Sequence, residues 1–294
     1  MTIDPKEIPV PKLHSYLLSA VAPRPIAFAS TMDKAGNVNL SPFSFFNVFS
    51  ANPPILIFSP SRRGRDNTTK HTYENVKERA EVVINIVSYD MVEQMSLAST
   101  EYAKGVDEFV KAGFTKMASE RVKPPRVLES PVSFECKVNQ VIELGQNGGA
   151  GNLIICEVLL IHIADRVLDK NHAIDPQKID QVARMGADWY TRAKLGTFEV
   201  AKPLTTIGIG YDAIPKGIRN SRILTGNHLG KLGNVEHLPT EQAIAAMGSE
   251  PKVTAILTGL DGNVDQQVIE LHKLAAIYLD RGEVMNAWKV LLQP

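Results

Sequence analysis

The amino-acid sequence predicts a mainly β fold, a barrel or sandwich, with a few helices and a helical C-terminal extension. Up to about residue 200, short apolar segments alternate with turns that are rich in proline and glycine. Closely spaced strands of this kind favour a barrel or sandwich over alternating β/α units. After Lys202 the chain becomes rich in glycine and then shows helical periodicity. We therefore predict a β domain over 1–203 and a glycine-rich connection with a helical extension over 204–294.

The predicted strands are apolar segments bounded by turn-forming residues. Gly36 and Asn37 both tolerate positive φ angles, so they mark a turn after the first strand. Pro53 and Pro54 exclude a helix and a central ladder position, which predicts a bend before the third apolar segment. The segments expected to be extended are Pro25–Thr31, Val38–Ser50, Ile55–Phe58, Val82–Val87, Ser133–Leu144 and Leu153–Ile163.

Other segments are predicted to be helical from their apolar spacing and from capping residues. Thr72 and Thr240 are candidate N-caps, because a threonine hydroxyl accepts a hydrogen bond from the first turn. Gly105 and Gly113 are expected to end helices, and Pro251 is expected to break one. The predicted helices are Thr72–Arg79, Tyr89–Ala103, Asp107–Ala112, Thr240–Met247, Val264–Leu279 and Gly282–Leu292.

Composition and charge argue against several classes of protein. The chain has 294 residues, with 32 Lys and Arg against 32 Asp and Glu, so its formal net charge is zero. It therefore lacks the basic excess that drives binding to a nucleic-acid backbone. No apolar run approaches the roughly 18 residues of a membrane-spanning helix, and the N-terminus has no apolar signal-peptide core. Two cysteines are too few for a disulfide framework. We expect a cytoplasmic protein with no nucleic-acid or membrane partner.

The segment Ser59–Thr72 is the most suggestive on chemical grounds, because it follows an apolar strand and precedes a helix. It contains three arginines, one lysine and several hydroxyl groups. Together with the free N–H groups at a helix start, these donors match what a phosphate monoester requires. The same composition is compatible with an exposed polar loop whose charges are solvated. The residues alone leave both interpretations open.

A second segment, Ser41–Asn47, places hydroxyl groups and an amide among phenylalanines. A planar heteroaromatic ligand requires that mixture, since its faces are apolar and its edges need a few donors. The alternative is a core strand of phenylalanines with surface serines, and periodicity alone favours this alternative.

Several familiar motifs are absent or incomplete. Gly208–Ala213 matches a loose dinucleotide fingerprint, but Pro215 falls within the helix that this motif must open. Gly145–Gly151 lacks the Lys-Ser/Thr pair of a phosphate loop, and we interpret it as a hairpin tip. The seven histidines show no metal-ligand spacing, so no metal site is predicted. Cys136 lies within an apolar strand, where a thiol is commonly inert.

A series of short motifs occurs in one order between about residues 15 and 195. These motifs are Val21–Ala27, Thr31–Asn47, Asn52–Pro54, Lys70–Thr72 with Asn75, Val83–Asn85, Gly105–Gly113 and Arg184–Tyr190. In order and number they resemble the flavin reductase-like, FMN-binding split-barrel family. His71 stands where that family often has Asp, and Ala187 stands where it has Gly. The segment from about residue 204 lies outside the resemblance.

The resemblance implies an antiparallel Greek-key split barrel that holds one FMN at a homodimer interface. Carried over by position, one group of residues would contact the isoalloxazine and ribityl groups: Ser41, Pro42, Phe43, Ser44 and Asn47. The backbone near three others would lie along the ring edge: Arg24, Pro25 and Ile26. A third group would hold the phosphate, in agreement with the anion-site interpretation: Ser59, Ser61, Arg62, Lys70 and Thr72.

The resemblance further implies an NAD(P)H:flavin oxidoreductase, in which a nicotinamide passes a hydride to flavin N5. The cofactor carries this chemistry, so no catalytic side chain is expected. Two alternatives stay open. One is an FMN-binding electron-transfer protein that receives electrons from a protein partner. The other is a flavin-free split-barrel interaction module. The identity of the nicotinamide and of the final acceptor, including an electron-acceptor protein, is left open.

Overall fold

The computed structural model describes residues 1–200, 203, 206–260 and 262–293. The chain forms two compact units, Met1–Phe198 and Glu199–Pro294. The predicted domain boundary between residues 203 and 204 adjoins residues that lie outside the described ones. Within the described part of the chain, no helix is both long and apolar enough to cross a membrane.

The N-terminal unit is dominated by β structure. One sheet contains seven strands, and two further sheets contain two strands each. The strands are β1 (Ala27–Met32), β2 (Val38–Phe43), β3 (Phe46–Ala51), β4 (Pro54–Phe58), β5 (Glu81–Asn85), β6 (Lys116–Met117), β7 (Arg126–Val127), β8 (Val132–Glu143), β9 (Asn152–Ile163), β10 (Val182–Arg184) and β11 (Tyr190–Arg192).

Short helices lie between these strands, and one helix precedes them. The helices of this unit are α1 (Val10–Ala20), α2 (His71–Glu78), α3 (Val92–Leu97) and α4 (Glu108–Ala112). Single 3₁₀ turns occupy Tyr89–Met91, Asp165–Val167 and Ala193–Leu195.

The order of the seven-stranded sheet shows that it curls into a split barrel. The order is β2-β1-β5-β8-β9-β4-β3, with antiparallel pairing throughout. β2 and β3 therefore lie at opposite edges, although only Ser44 and Phe45 separate them in sequence. Six strand spacings of about 4.8 Å would hold these edges about 29 Å apart in a flat sheet. Three Cα steps reach at most about 11 Å, so the sheet must curve until its edges approach each other.

Strand β1 separates two apolar cores, because successive side chains of a strand face opposite sides. Ala27 and Ala29 belong to the core inside the curved sheet, together with Phe58 and residues of β5, β8 and β9. Phe28 faces the other way and packs in a second core with Met95 and residues of α4. The core inside the sheet is closed on one side by Val76 of α2. This packing fixes the start of α2 relative to β1 and β2.

One carboxylate is fully buried in the barrel unit. Glu135 on β8 has no exposed surface. Its oxygens accept hydrogen bonds from the amides of Glu120, Arg121 and Val122, at 2.9, 2.6 and 3.3 Å. His162 Nε2 lies 2.7 Å from Glu135 Oε1. The carboxylate therefore fixes the segment that connects β6 and β7 to the barrel wall.

The C-terminal unit is helical in its described residues. Trp288 is fully buried at its centre, packs in one core with Leu279, and donates from Nε1 to the carbonyl of Leu232 at 3.1 Å. Its helices are α5 (Lys216–Arg219), α6 (Gly226–Gly233), α7 (Glu241–Gly248), α8 (Pro251–Gly259), α9 (Val264–Asp280) and α10 (Val284–Leu291).

The prediction of a mainly β chain with a helical C-terminal region is confirmed. Gly145–Gly151 is the tip of the β8–β9 hairpin, where Glu143 lies opposite Asn152. Three local expectations were wrong. Pro251 begins α8 instead of ending a helix, since proline suits the first helical position. Tyr89–Ala103 is a 3₁₀ turn followed by a helix that ends at Leu97. Val38–Ser50 forms two strands instead of one extended run.

Candidate ligand-binding site

A polar cleft lies where the start of α2 meets β2 and the segment that follows α3. Asn39 and Ser41 of β2 lie two residues apart, so they present their side chains on one face of the strand. The polar lining of the cleft includes Asn39, Ser41, Arg63, Lys70, Thr72 and Glu101. The cleft thus combines residues of the edge strand β2 with the loop that follows β4, the strand next to the other edge.

The first turn of α2 faces this cleft without a side-chain cap. Lys70 precedes the helix in an extended conformation, and no side chain caps that turn in the described structure. Thr72, the predicted N-cap, instead lies inside the first turn and is buried. Its Oγ1 lies 3.4 Å from Asn39 Nδ2, a long contact across to β2. Uncapped amides and the positive end of the helix dipole favour an anion at this position.

Arg63 and Lys70 contribute two cations to the cleft. Arg63 Nη1 donates to Thr68 Oγ1 at 3.0 Å and to the carbonyl oxygen of Thr69, which holds the guanidinium in place. Arg63 Nε and Lys70 Nζ lie 2.9 and 3.1 Å from the same atom, Glu101 Oε1. The two side chains are 15% and 31% exposed, so their charges are only partly screened by water. Their convergence on one oxygen shows that the site can hold an anion.

His71 adds a donor to the cleft without adding charge at neutral pH. Burial lowers the pKa of His71; Glu74 opposes this effect, and the nearby cations Arg63 and Lys70 lower the pKa further. A neutral imidazole keeps one N–H group that can donate a hydrogen bond. The histidine is therefore compatible with an anion in this cleft.

The residues predicted to hold a phosphate lie at the two ends of the segment between β4 and α2. Ser59, Ser61 and Arg62 follow β4, whereas Lys70 and Thr72 lie at the start of α2. Ser59 is buried, and its Oγ has no hydrogen-bond partner among the described residues. A Cβ on Gly151 would lie 2.7 Å from that Oγ, so the hairpin tip passes close to Ser59. The Arg62 guanidinium instead donates to the side chain and carbonyl of Asn67, both at 2.7 Å. Ser61 is half-buried beside it. The structure brings Lys70 and Thr72 together in the cleft, whereas the Arg62 guanidinium is engaged within its own loop.

The residues predicted to lie along a ring edge are fixed by backbone contacts. Arg24 is buried, and its backbone pairs with Arg184 in both directions at 2.9 Å. Its guanidinium donates to the carbonyls of Leu18, Val21 and Met185. Burial lowers the pKa of Arg24, and the charge of Arg184 lowers it further. Pro25 is half-buried, and Ile26 belongs to the core that contains Phe28.

The residues predicted to contact the flavin ring span the connection between β2 and β3. Ser41 lines the cleft, and Pro42 beside it is half-buried. Ser44 Oγ lies 3.4 Å from Arg24 Nε. The Phe43 side chain faces the core and packs against Phe58, with ring centroids 5.5 Å apart. Asn47 is exposed on β3 and accepts a hydrogen bond from the amide of Val48 at 2.8 Å.

Sequence reasoning missed several residues of the cleft, among them Arg63, Asn39 and Glu101. Arg63 lies in the segment singled out as an anion site but was not selected from it. Asn39 could have been found, because it is two residues from Ser41 on the same strand. Glu101 is 31 residues from Lys70, and nothing local in the sequence indicates that the two meet.

A second cleft of about 410 Å³ lies between α3 and the β10–β11 hairpin. Arg184 and Arg192 stack over the rings of Tyr190 and Tyr89, 4.6 and 3.8 Å from the centroids. Asp180 binds Arg192 and also Lys194, which holds one side of this cleft in place. The volume of this second cleft is within the range of small-molecule pockets. Within the described residues, no group of histidines, cysteines and acids could hold a metal ion.

Comparison with known proteins identifies the family of the barrel unit. A family model for the flavin reductase like domain matches residues 19–178, more than half of the chain. The chain belongs to the flavin reductase like domain family. The matched residues contain the polar cleft and the predicted ring-contacting residues. The family resemblance inferred from the sequence motifs is therefore confirmed.

Relatives and solved structures match the same part of the chain. A relative described only as an uncharacterized protein, from Aquifex aeolicus (strain VF5), is 40% identical over 188 residues, which is 64% of this chain and 93% of that protein. The structure of nitrilotriacetate monooxygenase component B from Bacillus cereus is 27% identical, with a TM-score of 0.64; the match covers 68% of this chain and 98% of that one. A protein with a split barrel domain from Shewanella frigidimarina NCIMB 400 is 26% identical, with a TM-score of 0.57; here the match covers 69% of this chain and 98% of that one. The split-barrel fold of the flavin reductase like domain is therefore confirmed.

Proposed function

We propose that this protein binds FMN and uses it as an NAD(P)H-dependent flavin reductase. The observation that carries the proposal is the pair of cations, Arg63 and Lys70, beside the uncapped first turn of α2. This pair lies in the segment of the chain that matches the flavin reductase like domain. A flavin mononucleotide ends in a phosphate monoester, which is the anion that such a donor set suits.

The residues present fit FMN in their chemistry. Arg63 and Lys70 supply charge, and the α2 amides supply donors for phosphate oxygens. Ser59 Oγ is buried without a partner among the described residues, but Ser59 does not line the cleft, so the fit rests on the other donors. Ser41 continues the polar lining towards the β2–β3 connection, where Pro42 and Ser44 would meet the ring.

The role of the protein in this reaction is to bind and orient. When bound, FMN supplies the redox chemistry, accepting a hydride from NAD(P)H and passing electrons to a second acceptor. Arg63 and Lys70 would fix the phosphate end, and the buried guanidinium of Arg24 would hold the backbone beside the ring in place. No acidic or basic side chain is needed to move a proton in our proposal.

The proposal is tested by titration and turnover with the purified full-length protein. We expect uptake of FMN, seen as a flavin absorption spectrum that stays with the protein on gel filtration. We also expect flavin-dependent oxidation of NADH or NADPH in a steady-state assay. FMN uptake without turnover of either nicotinamide would instead support an electron-transfer protein. A protein that takes up no added FMN would contradict both redox functions.

We propose that the barrel unit alone carries the flavin site. The support is that the cleft residues all lie within Met1–Phe198, which forms a compact unit. A chain that ends at Phe198 is expected to bind FMN with the affinity of the full-length protein, measured by quenching of flavin fluorescence. Loss of FMN binding in a truncated chain that keeps its circular dichroism spectrum would contradict this assignment.

We also propose that the barrel unit forms a homodimer through the outer face of β9. Leu159, Ile161 and Ile163 alternate along this strand and are 44%, 50% and 40% exposed. A row of large apolar side chains on one strand face is typical of a protein interface. The edge strand β3, which β4 separates from β9, carries two more exposed apolar side chains, Val48 and Phe49.

Replacing Ile161 by lysine is therefore expected to convert the dimer into a monomer, because a buried unpaired charge opposes association. Light scattering after gel filtration measures the mass. Val110→Lys is the control, since Val110 is a more exposed apolar residue on α4 and should leave the dimer intact. A wild-type monomer, or a dimer that persists in Ile161→Lys, would contradict the interface.

A further inference from the structure

Glu101 lies within the cleft as an internal anion. Its Oε1 lies 2.9 Å from Arg63 Nε and 3.1 Å from Lys70 Nζ. Its Oε2 lies 3.2 Å from an Nη of Arg65. Three cations thus contact one carboxylate, and two of these cations line the cleft.

The carboxylate uses the donors that a ligand phosphate would use. Hydrogen bonds from Lys70 and then Arg63, together with the charges of both, lower the pKa of Glu101 to about 2. Glu101 is therefore ionised across the physiological range and stays paired. A phosphate that binds Arg63 and Lys70 must displace this carboxylate, because both groups require the same N–H donors.

Glu101 also lies on a segment that can release it. The chain between the end of α3 at Leu97 and the start of α4 at Glu108 contains no helix or strand. Gly105 in this segment has φ of +87°, a conformation that glycine adopts without strain. The Glu101 side chain is 41% exposed, so it can turn towards solvent without crossing the core.

We propose that Glu101 is a counter-anion that competes with the phosphate of the flavin for Arg63 and Lys70. It thereby sets the difference in affinity of the site between FMN and riboflavin. This inference rests on the proposed function, since it assumes that a flavin occupies the cleft. A phosphate monoester carries about −1.5 to −2 charges and displaces the single carboxylate charge. Riboflavin has no phosphate, so it leaves the Glu101 pairs intact and gains nothing from the cations.

The test compares Glu101→Gln with the wild type in the full-length protein freed of flavin. Each is titrated with FMN and with riboflavin, and quenching of flavin fluorescence gives the dissociation constants. We expect the variant to bind FMN about tenfold more tightly, since one charge-assisted interaction no longer competes. We expect riboflavin binding to stay the same.

Asp66→Asn is the matched control. The substitution removes one negative charge from the same cluster. Asp66 contacts Arg65 at 3.1 Å, reaches Arg63 only through the Thr68 hydroxyl, and does not contact Lys70. We expect FMN affinity close to that of the wild type. An equal gain in this variant would show a general field effect and overturn the specific role of Glu101.

Two other results overturn the inference. If Glu101→Gln binds FMN more weakly, the carboxylate positions the cations instead of competing for them. If FMN affinity is unchanged, the phosphate lies elsewhere. Both results require that the wild type binds FMN and riboflavin, whereas failure of the proposed function would appear as no binding of either flavin by any variant.

Discussion

Replacing Lys70 by alanine is expected to weaken FMN binding by about 10- to 150-fold, with little change in riboflavin binding. A charge-assisted hydrogen bond to a phosphate contributes about 1.5–3 kcal/mol to binding. Riboflavin has no phosphate and does not form this bond, so its affinity should not depend on Lys70. Lys70 Nζ lies in the cleft and is directed to the oxygen of Glu101 that Arg63 also binds. Fluorescence titration of both flavins measures the two dissociation constants side by side.

Lys77→Ala is the control for this prediction. Lys77 lies near the C-terminal end of α2, is 53% exposed, and pairs with Glu143 at 3.3 Å outside the cleft. It should leave the affinity for both flavins unchanged. Equal weakening of FMN and riboflavin by Lys70→Ala would show that Lys70 supports the fold of the pocket and does not bind the phosphate.

Replacing Glu135 by alanine is expected to destabilise the barrel unit by about 3–5 kcal/mol. The change removes the acceptor of the amides of Glu120, Arg121 and Val122 and leaves His162 without its partner. When a buried donor has no acceptor, the free-energy cost of its desolvation is uncompensated, and the folded state is destabilised by that amount. Hydrogen exchange of peptides covering β8 and 118–123 measures the effect locally, with exchange faster by about two to four orders of magnitude.

Glu157→Ala is the control for this second prediction. Glu157 lies on the adjacent strand β9, and its side chain accepts an exposed hydrogen bond from Asn139 Nδ2 at 3.0 Å. Surface changes of this kind stay within about 0.5 kcal/mol. Unchanged exchange in Glu135→Ala would contradict the structural role of the buried carboxylate.

The same carboxylate predicts an acid dependence of stability. Burial raises the pKa of Glu135, but the hydrogen bonds from Glu120, Arg121 and His162 lower it more, so the pKa lies below its ordinary value. A carboxyl group whose pKa is lower in the folded than in the unfolded protein stabilises the folded state. This contribution is complete above the unfolded-state pKa, about 4.3, and is lost as the pH falls through the folded-state pKa. The stability difference between wild type and Glu135→Gln should be constant at neutral pH and shrink below about pH 4.

Sequence patterns predicted the long strands well because their signals are local. The β8–β9 hairpin has two twelve-residue strands rich in β-branched and apolar residues around a glycine-rich tip. Helix α1 was missed although Val10, Leu13 and Leu17 have helical spacing, and none of its residues is buried. Helix α6 was missed among glycines, although Thr225 forms a capping box with His228 at its start.

From local chemistry the candidate site was predicted as two separate segments, and only the family resemblance placed both of them on one FMN. Lys70 and Ser41 each have a local chemical signal, but the curvature of the sheet brings them together. That curvature depends on pairings such as β4 with β9, which are about a hundred residues apart in sequence. Glu101 enters from a third segment through side-chain contacts alone.

The two-residue connection between β2 and β3 has a consequence for the order of folding. The cleft takes Asn39 and Ser41 from the edge strand β2 and Arg63 from the loop that follows β4, the strand next to the other edge. The two residues between β2 and β3 keep these edges close throughout folding, so the non-local steps are the pairings of β1 with β5 and of β4 with β9. An intermediate that has formed the β8–β9 hairpin without those pairings has secondary structure but no cleft. Ligand binding during refolding therefore reports that the barrel has closed, and a bound ligand stabilises the closed sheet.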